Sequence, residues 1–311
     1  MPIYNTDENM LRETINSILG QTFRDFEFLI INDASSKPLA QVVAEFDDPR
    51  IVYVENDKNL GIAETSNKGI SLAKGEYIAR QDHDDISLPE RLEKQVAFLD
   101  AYPEYGVVGC QVLCFPKGQK ICVPCDDEDI KIRTVVEGAG ICHPAAMIRK
   151  SVLLENNIKY HDEYRYAEDY QLWVELLNKT KFCNLPELLF KYRWFGGNTS
   201  LTTGNMQAVN GTKAKLNAVK EVLPEATEAD LALFAKMYAK QKFSLREMQQ
   251  MYGLLARAEV MENWKKEVLK RWLWRALRQT KAKYTKLAPL WKGSKLQPNW
   301  LEKLKLRWRK F

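Results

Sequence analysis

Tyr77-Ile78-Ala79-Arg80-Gln81-Asp82-His83-Asp84-Asp85 places three carboxylates within four positions, directly behind a short apolar run. Ser87-Leu88-Pro89-Glu90 then reads as a helix start. Ser87 fits an N-cap and Glu90 its partner three residues on, with Pro89 in the first turn, where a missing N–H costs nothing. The carboxylates are therefore expected at the C-terminal end of a strand, on the edge of an open α/β sheet where ligands bind. Three crowded like charges are costly unless a cation sits among them. Oxygen ligands of this kind suit Mg2+ or Mn2+ shared with substrate phosphates. A solvated acidic turn is the competing reading.

Upstream, Pro2-Ile3-Tyr4-Asn5 reads as the end of a strand. Thr6 or Asp7 can cap the helix that carries Leu11, Ile15, Ile18 and Leu19 at helical spacing. Phe26–Ile31 has the length and composition of a buried parallel strand and ends at Asn32-Asp33-Ala34-Ser35-Ser36. A helix over Leu39–Phe46, a strand over Ile51–Val54 and a helix over Ile62–Ala73 follow. This alternation, running into the Tyr77 strand, predicts right-handed parallel crossovers and a mostly parallel sheet flanked by helices.

Downstream, Glu90–Ala101 is amphipathic, with Leu92, Val96 and Leu99 on one side. Val107–Phe115 and Gln119–Val123 alternate as a hairpin around Pro116-Lys117-Gly118. A helix over Asp129–Val136, a Gly-rich loop over Gly138–His143 and a strand over Ala145–Ile148 come next. Tyr166-Ala167-Glu168-Asp169 opens a helix with Leu172, Trp173, Leu176 and Leu177 on one face. Leu188–Trp194 is a strand, followed by a loop over Phe195–Thr203. From Met206 the pattern is helical, so a domain change is expected near 205, giving regions 1–205 and 206–311. No internal repeat is present.

The 311 residues carry a formal net charge of +5, unevenly spread. Trp264–Phe311 holds 16 Lys+Arg against two Asp+Glu; of the 46 and 41 in the whole chain, 30 and 39 remain for the rest. Six of the eight tryptophans also lie in that tail. An acidic body with a basic, Trp-rich tail suggests chemistry in the one and attachment by the other. No apolar run reaches about 18 residues, so no transmembrane helix is expected. The N-terminus lacks a signal-peptide pattern, and the six cysteines show no secreted disulfide framework. A cytoplasmic location follows as the expectation.

Several residues have both a structural and a chemical reading. Asp33 can be a turn or capping residue, or a sheet-edge carboxylate accepting N–H bonds from a base, with Tyr4 beside it to stack on a flat ring. Glu168 and Asp169 suit a helix N-terminus, or one of them can be a general base. His143, between Cys142 and Pro144, is a structural or a functional histidine. Strand alternation would point His83 away from Asp82 and Asp84. Cys110, Cys114, Cys122 and Cys125 fit buried thiols as well as zinc ligands. No cysteine has the surroundings of a protease nucleophile. A nucleotidyltransferase would need a basic Gly-rich loop, and Pro2–Asn9 supplies none.

Pro2-Ile3-Tyr4-Asn5, Gln21-Thr22-Phe23, Ile31-Asn32-Asp33, Asn59-Leu60-Gly61-Ile62-Ala63, Ala79–Asp85, Pro89-Glu90-Arg91-Leu92 and Ala167-Glu168-Asp169-Tyr170 follow one another in order. As a set they resemble glycosyltransferase family 2, inverting nucleotide-sugar enzymes of GT-A fold, over roughly residues 1–200. The resemblance implies that Asp33 reads the nucleobase with Pro2 and Tyr4 lining its pocket. It implies that Asp84 holds the Mg2+ or Mn2+ ion, with Asp82 near ribose and metal and Arg80 on the donor side. Asp169 is the implied base, and His143, Glu168 and Trp173 belong to the surrounding donor or acceptor loops. A nucleotide-sugar donor, most simply a UDP-sugar, and a glycan or lipid-linked acceptor are the implied partners. Three departures stand out: only Met1 precedes the Pro-x-Tyr-Asn motif, so the first strand looks truncated. Thr65-Ser66 replaces the common Ala-Arg, and Phe195 stands where relatives often carry His.

In the tail, Val268, Leu269, Trp272, Leu273, Ala276 and Leu277 form one helical stripe, flanked by Lys266, Lys270, Arg271, Arg275 and Arg278. That pattern fits a helix lying in an anionic membrane interface through 264–311, at the inner membrane face. It also fits a helix packed on protein with its basic side solvated. Nucleic-acid binding is not expected, because the Trp stripe reads as buried rather than splayed for stacking. A membrane-binding or nucleic-acid-binding protein with an inactive body is the non-enzymatic alternative.

Overall fold

The computed structural model describes residues 1–138, 140–195, 204–256 and 262–280. One compact unit takes in Met1–Thr134 and Ala139–Gly211, the other Val135–Gly138 and Thr212–Phe311.

The first unit opens with β1 (Pro2–Ile3), α1 (Glu8–Leu19), β2 (Phe28–Asn32), α2 (Leu39–Val43), β3 (Ile51–Glu55) and α3 (Gly61–Leu72). Asp7 caps α1, its carboxylate accepting the Asn9 and Met10 N–H groups at 3.0 and 3.1 Å. β1, β2 and β3 form a parallel sheet, with Pro2 opposite Ile31 and Phe28 opposite Ile51. Leu11, Ile15 and Ile18 pack with Leu39, Val42, Phe28 and Ile30 into its core. The helical spacing of the α1 residues thus has its cause in one buried face.

β4 (Tyr77–Ala79) departs from the expected parallel continuation. It pairs antiparallel with β8 (Met147–Arg149), in a second sheet of order β4-β8-β6-β9-β5 with β7 on β6. The remaining strands are β5 (Ile86–Ser87), β6 (Tyr105–Phe115), β7 (Gln119–Ile121) and β9 (Lys181–Arg193). Only β6 and β9 run parallel there. The chain returns to β4 through α4 (Arg91–Ala101), α5 (Asp127–Glu137) and the short 3-10 turn His143–Ala145, delivering β8 in the opposite sense. α6 (Lys150–Glu155) and α7 (Glu168–Leu176) complete the set of helices before β9.

Alternation along β6 divides the core. Val107 faces Ile130, Leu172, Trp173 and Leu176, while Val108, Cys110 and Val112 face Leu92 and Leu99 of α4. The sheet is therefore covered on both sides, as a mixed α/β architecture requires. A cavity of about 930 Å3 lies between the sheets, lined by Met1, Phe26, Ile31 and Ile78 and reaching Arg80 and Tyr160.

Ser87 is not a helix cap. It lies in β5, and its hydroxyl donates to Gln81 Oε1 at 2.8 Å, while Glu90 precedes α4 without capping it through a side chain. The capping-box spacing is present, but buried polar partners from outside the helix take the hydroxyl.

The second unit contains α9 (Glu228–Tyr238), α10 (Leu245–Ala256) and α11 (Asn263–Gln279), which pack on one another; α8 (Gly204–Val222) precedes them. Thr227 and Asp230 form a reciprocal capping box at α9. The apolar stripe of α11 is fully buried from Val268 through Leu277, and Trp272 meets Phe234 of α9 edge-on at 4.7 Å. The expectation that this stripe lies in a membrane interface is corrected: it is the core of a helical unit. Lys270, Arg271 and Arg278 remain exposed. Trp291, Trp300 and Trp308 fall outside the described residues, as do 196–203 of the loop after β9. No helix among the described residues is long and apolar enough to cross a membrane.

Candidate active site

Asp33 follows β2, and its N–H donates to the Ile3 carbonyl at 2.9 Å. Its buried carboxylate is already occupied. Oδ1 accepts Asn56 Nδ2 and the Leu60 N–H, both at 2.8 Å, and Oδ2 accepts the Gly61 N–H at 2.9 Å. Asp33 therefore caps α3 from a neighbouring strand, which Gly61 permits with a φ of 83°. One lone-pair position on Oδ2 remains for a ligand. Tyr4, 49% exposed, stands at the end of β1 on the same edge, and Pro2 is buried beside Ile31. Thr65 is buried and its hydroxyl accepts from Asn56 Nδ2 at 3.1 Å.

The acidic stretch forms the turn between β4 and β5. Because residues 83 and 84 are turn rather than strand, alternation does not set the direction of His83; its Nδ1 is enclosed without a hydrogen-bond partner among the described residues. Arg80 Nη2 lies 2.6 Å from Asp82 Oδ1. Burial alone would raise the Asp82 pKa, but Arg80 beside it holds the carboxyl below its usual range. Asp84 is pushed upward, chiefly by burial and then by Asp82. Asp85 is pushed well upward by burial and by both neighbours. Its Oδ1 accepts the Arg193 N–H at 2.7 Å, and Arg193 Nε donates to the Asp84 carbonyl at 2.6 Å.

Tyr160 is buried and lines the same cavity as Arg80, and burial raises its hydroxyl pKa. His143 Nε2 lies 2.7 Å from Tyr160 Oη, and its ring meets Trp173 edge-on at 5.8 Å. Burial, with Arg80 nearby, lowers the His143 pKa to about 3, so the imidazole is neutral at pH 7. Glu168 and Asp169 occupy the first turn of α7, where the helix N-terminus favours negative charge. Burial raises the pKa of both, that of Glu168 to about 7 with Asp169 contributing. The Glu168 side chain is half-buried as a whole, but its Oε2 is enclosed and lacks a hydrogen-bond partner among the described residues.

The fold thus pairs Arg80 with Asp82 and His143 with Tyr160 and Trp173, places Glu168 and Asp169 in the first turn of α7, and leaves Asp33, Pro2 and Tyr4 on the parallel sheet's edge. Tyr160, Asn56 and Arg193 were not singled out from the sequence, and Asp85 was visible only as the third carboxylate of the turn. Tyr160 belongs to no recognisable spacing.

Among the described residues no three His, Cys, Asp or Glu side chains converge as a metal site. Asp82 and Asp84 nevertheless fit the mode in which Mg2+ or Mn2+ is held by one or two carboxylates, water and substrate phosphates. The crowding that raises Asp84 and Asp85 marks a local shortage of positive charge.

Comparison with known proteins adds a separate line. The family model for glycosyl transferase family 2 matches residues 1–155. EpsE of Bacillus subtilis, named as a glycosyltransferase, is 36% identical over 205 residues, covering 62% of this chain and 71% of its own length. The amylovoran biosynthesis glycosyltransferase AmsE of Erwinia amylovora is 29% identical over 198 residues, 61% of this chain and 73% of its own. Among solved structures, TarS of S. aureus in complex with UDP-GlcNAc superimposes with a TM-score of 0.62 at 16% identity, covering 88% of each chain. The mannosyltransferase PcManGT of Pyrobaculum calidifontis, in complex with GDP-Man and Mn2+, gives 0.52 at 16% identity over 100% of this chain and 86% of its own. At such identities these two likenesses speak for the fold.

Proposed function

The chain belongs to glycosyl transferase family 2, and from that premise we propose that it transfers a sugar from a nucleoside-diphosphate sugar to an acceptor hydroxyl with inversion at the anomeric carbon. The observation that carries this reading is the carboxylate turn at the sheet edge, where Arg80 Nη2 lies 2.6 Å from Asp82 Oδ1, in a chain of this family.

Asp169 removes the acceptor hydroxyl proton; the new bond forms from that oxygen to the anomeric carbon as the bond to the β-phosphate breaks. The nucleoside diphosphate leaves on the opposite face, and one such displacement inverts configuration. Burial suits Asp169 to this role, because a raised pKa strengthens a base and brings it nearer the working pH. Asp33, Pro2 and Tyr4 receive the base of the nucleotide, with the open Oδ2 position of Asp33 accepting its N–H. A bound Mg2+ or Mn2+, held by Asp84 with Asp82 beside it, would neutralise the diphosphate. Neutral His143, packed edge-on against Trp173, holds the Tyr160 hydroxyl at 2.7 Å.

A UDP-sugar is the donor of choice, supported by the UDP-GlcNAc-bound TarS as a neighbour in fold. An acceptor in polysaccharide biosynthesis, glycan or lipid-linked, is supported by the likeness to AmsE. Residues 1–205 carry the chemistry in this proposal, and the basic sequence from 264 on, with Lys270, Arg271 and Arg278 exposed on α11, attaches the enzyme to an anionic membrane by charge, the described apolar stripe being internal. A thermal-shift screen of nucleotide sugars with and without Mn2+ tests the donor reading. Stabilisation by one nucleotide class, enhanced by Mn2+, is expected; no response to any nucleotide sugar would overturn it. Pelleting of the whole chain with anionic but not neutral vesicles, lost in high salt, tests the attachment.

A further inference from the structure

We infer that Arg91 is the positioning residue that holds the Asp82–Asp85 turn in its ligand-receiving shape; the inference rests on the donor-binding reading of that turn. Arg91 is fully buried at the start of α4, beneath the turn. A buried cation is costly to retain unless its hydrogen-bonding capacity is met. Here five guanidinium N–H donors meet five acceptors, none of them charged. Nε donates to Gln95 Oε1 at 3.2 Å. Nη1 donates to Gln81 Oε1 at 3.0 Å and Ser87 Oγ at 2.8 Å. Nη2 donates to the Arg80 carbonyl at 2.7 Å and the Ala146 carbonyl at 3.2 Å. The Phe190 ring lies 5.1 Å from the guanidinium carbon.

Two of these acceptors carry the restraint into the site. Gln81, oriented by Arg91 and Ser87, donates through Nε2 to the Asp82 carbonyl at 2.9 Å and the Asp85 carbonyl at 3.1 Å. Both ends of the acidic turn are thereby pinned by one side chain. The Ala146 carbonyl, which also accepts the Arg80 N–H at 2.8 Å, follows directly on the 3-10 turn that presents His143. Arg91 thus fixes the carboxylate turn relative to His143 from a fully buried position. A lysine keeps the charge but supplies three donors from one point, and cannot bridge Gln81, Ser87 and two carbonyls together.

The test compares wild type, Arg91→Lys and Gln81→Ala by calorimetric titration with UDP and Mn2+, alongside donor KM, kcat and thermal melting. Both variants are expected to weaken UDP·Mn2+ binding 10- to 100-fold, the range seen when supporting shells of metal sites are altered. Donor KM should rise in parallel while kcat at saturating donor changes less than threefold. Gln81→Ala keeps Arg91 buried and serves if Arg91→Lys does not fold. A folded variant of either kind that melts earlier but binds UDP·Mn2+ within threefold of wild type overturns the inference, because that is what a purely structural role would give. Absence of UDP·Mn2+ binding by wild type instead removes the reading of the site, and the inference with it.

Discussion

Replacing Glu168 by Gln should stabilise the first unit in a strictly pH-dependent way. The Glu168 carboxyl is raised from 4.5 to about 7, first by burial and then by the Asp169 charge beside it. Between those values the unfolded chain has released its proton while the folded chain retains it. The stability this proton confers is full below pH 4.5 and is lost as pH rises through 7. At about 1.4 kcal/mol per pH unit, the ionised form costs the folded state about 3 kcal/mol at most. Solvent reaching the half-buried side chain screens part of this, leaving about 1.5–3 kcal/mol. Gln keeps the shape and has no proton to lose. Urea unfolding, followed by tryptophan fluorescence and near-UV circular dichroism at pH 5, 6, 7 and 8, measures the difference. The variant should match wild type most nearly at pH 5 and exceed it by about 1.5–3 kcal/mol at pH 8. A difference that is constant across this range would refute the argument that burial and the Asp169 charge hold the Glu168 carboxyl protonated.

Three further outcomes follow from particular contacts. Asp84→Ala should reduce Mn2+-dependent turnover of a nucleotide sugar about 100-fold or more without lowering the melting temperature, since it relieves crowded like charges; undiminished activity would remove Asp84 from the metal site. Asp33→Ala leaves the Leu60 and Gly61 N–H groups and Asn56 Nδ2 without their acceptor, and should cost about 2–4 kcal/mol in chemical unfolding. Trp272→Ala opens a void against Phe234 in the second unit and should cost about 3–5 kcal/mol; a loss under about 1 kcal/mol, the level of an exposed position, would contradict its burial.

What could be read from sequence divides by range. The buried face of α1, its cap at Thr6 or Asp7 and the three parallel strands depend on residues close in sequence, and their periodicity was visible; the structure selects Asp7. Ser87 misled because Ser-x-x-Glu has the spacing of a capping box, while its hydroxyl is claimed by Gln81 and Arg91. The direction of β4 depended on β8, some 70 residues later, and no local pattern encodes that pairing. The α11 stripe announced a buried face correctly, but amphipathicity does not say whether lipid or protein covers it; Phe234 and its neighbours do. Asp82 and Asp169 could be named from spacing and resemblance. Tyr160, which meets His143, and Arg193, which reaches back to Asp84 and Asp85, have no signature because long-range topology alone brings them there.

Asp169 is proposed here as the base of a displacement on a nucleotide sugar bound at Asp33 and Asp84. Donor affinity and turnover measured side by side on wild type and Asp169→Asn test it most directly. Donor affinity should stay within about threefold of wild type while transfer falls about 100-fold or more, the contribution of a positioned general base. Transfer at the wild-type rate, or affinity and transfer falling together, would contradict it.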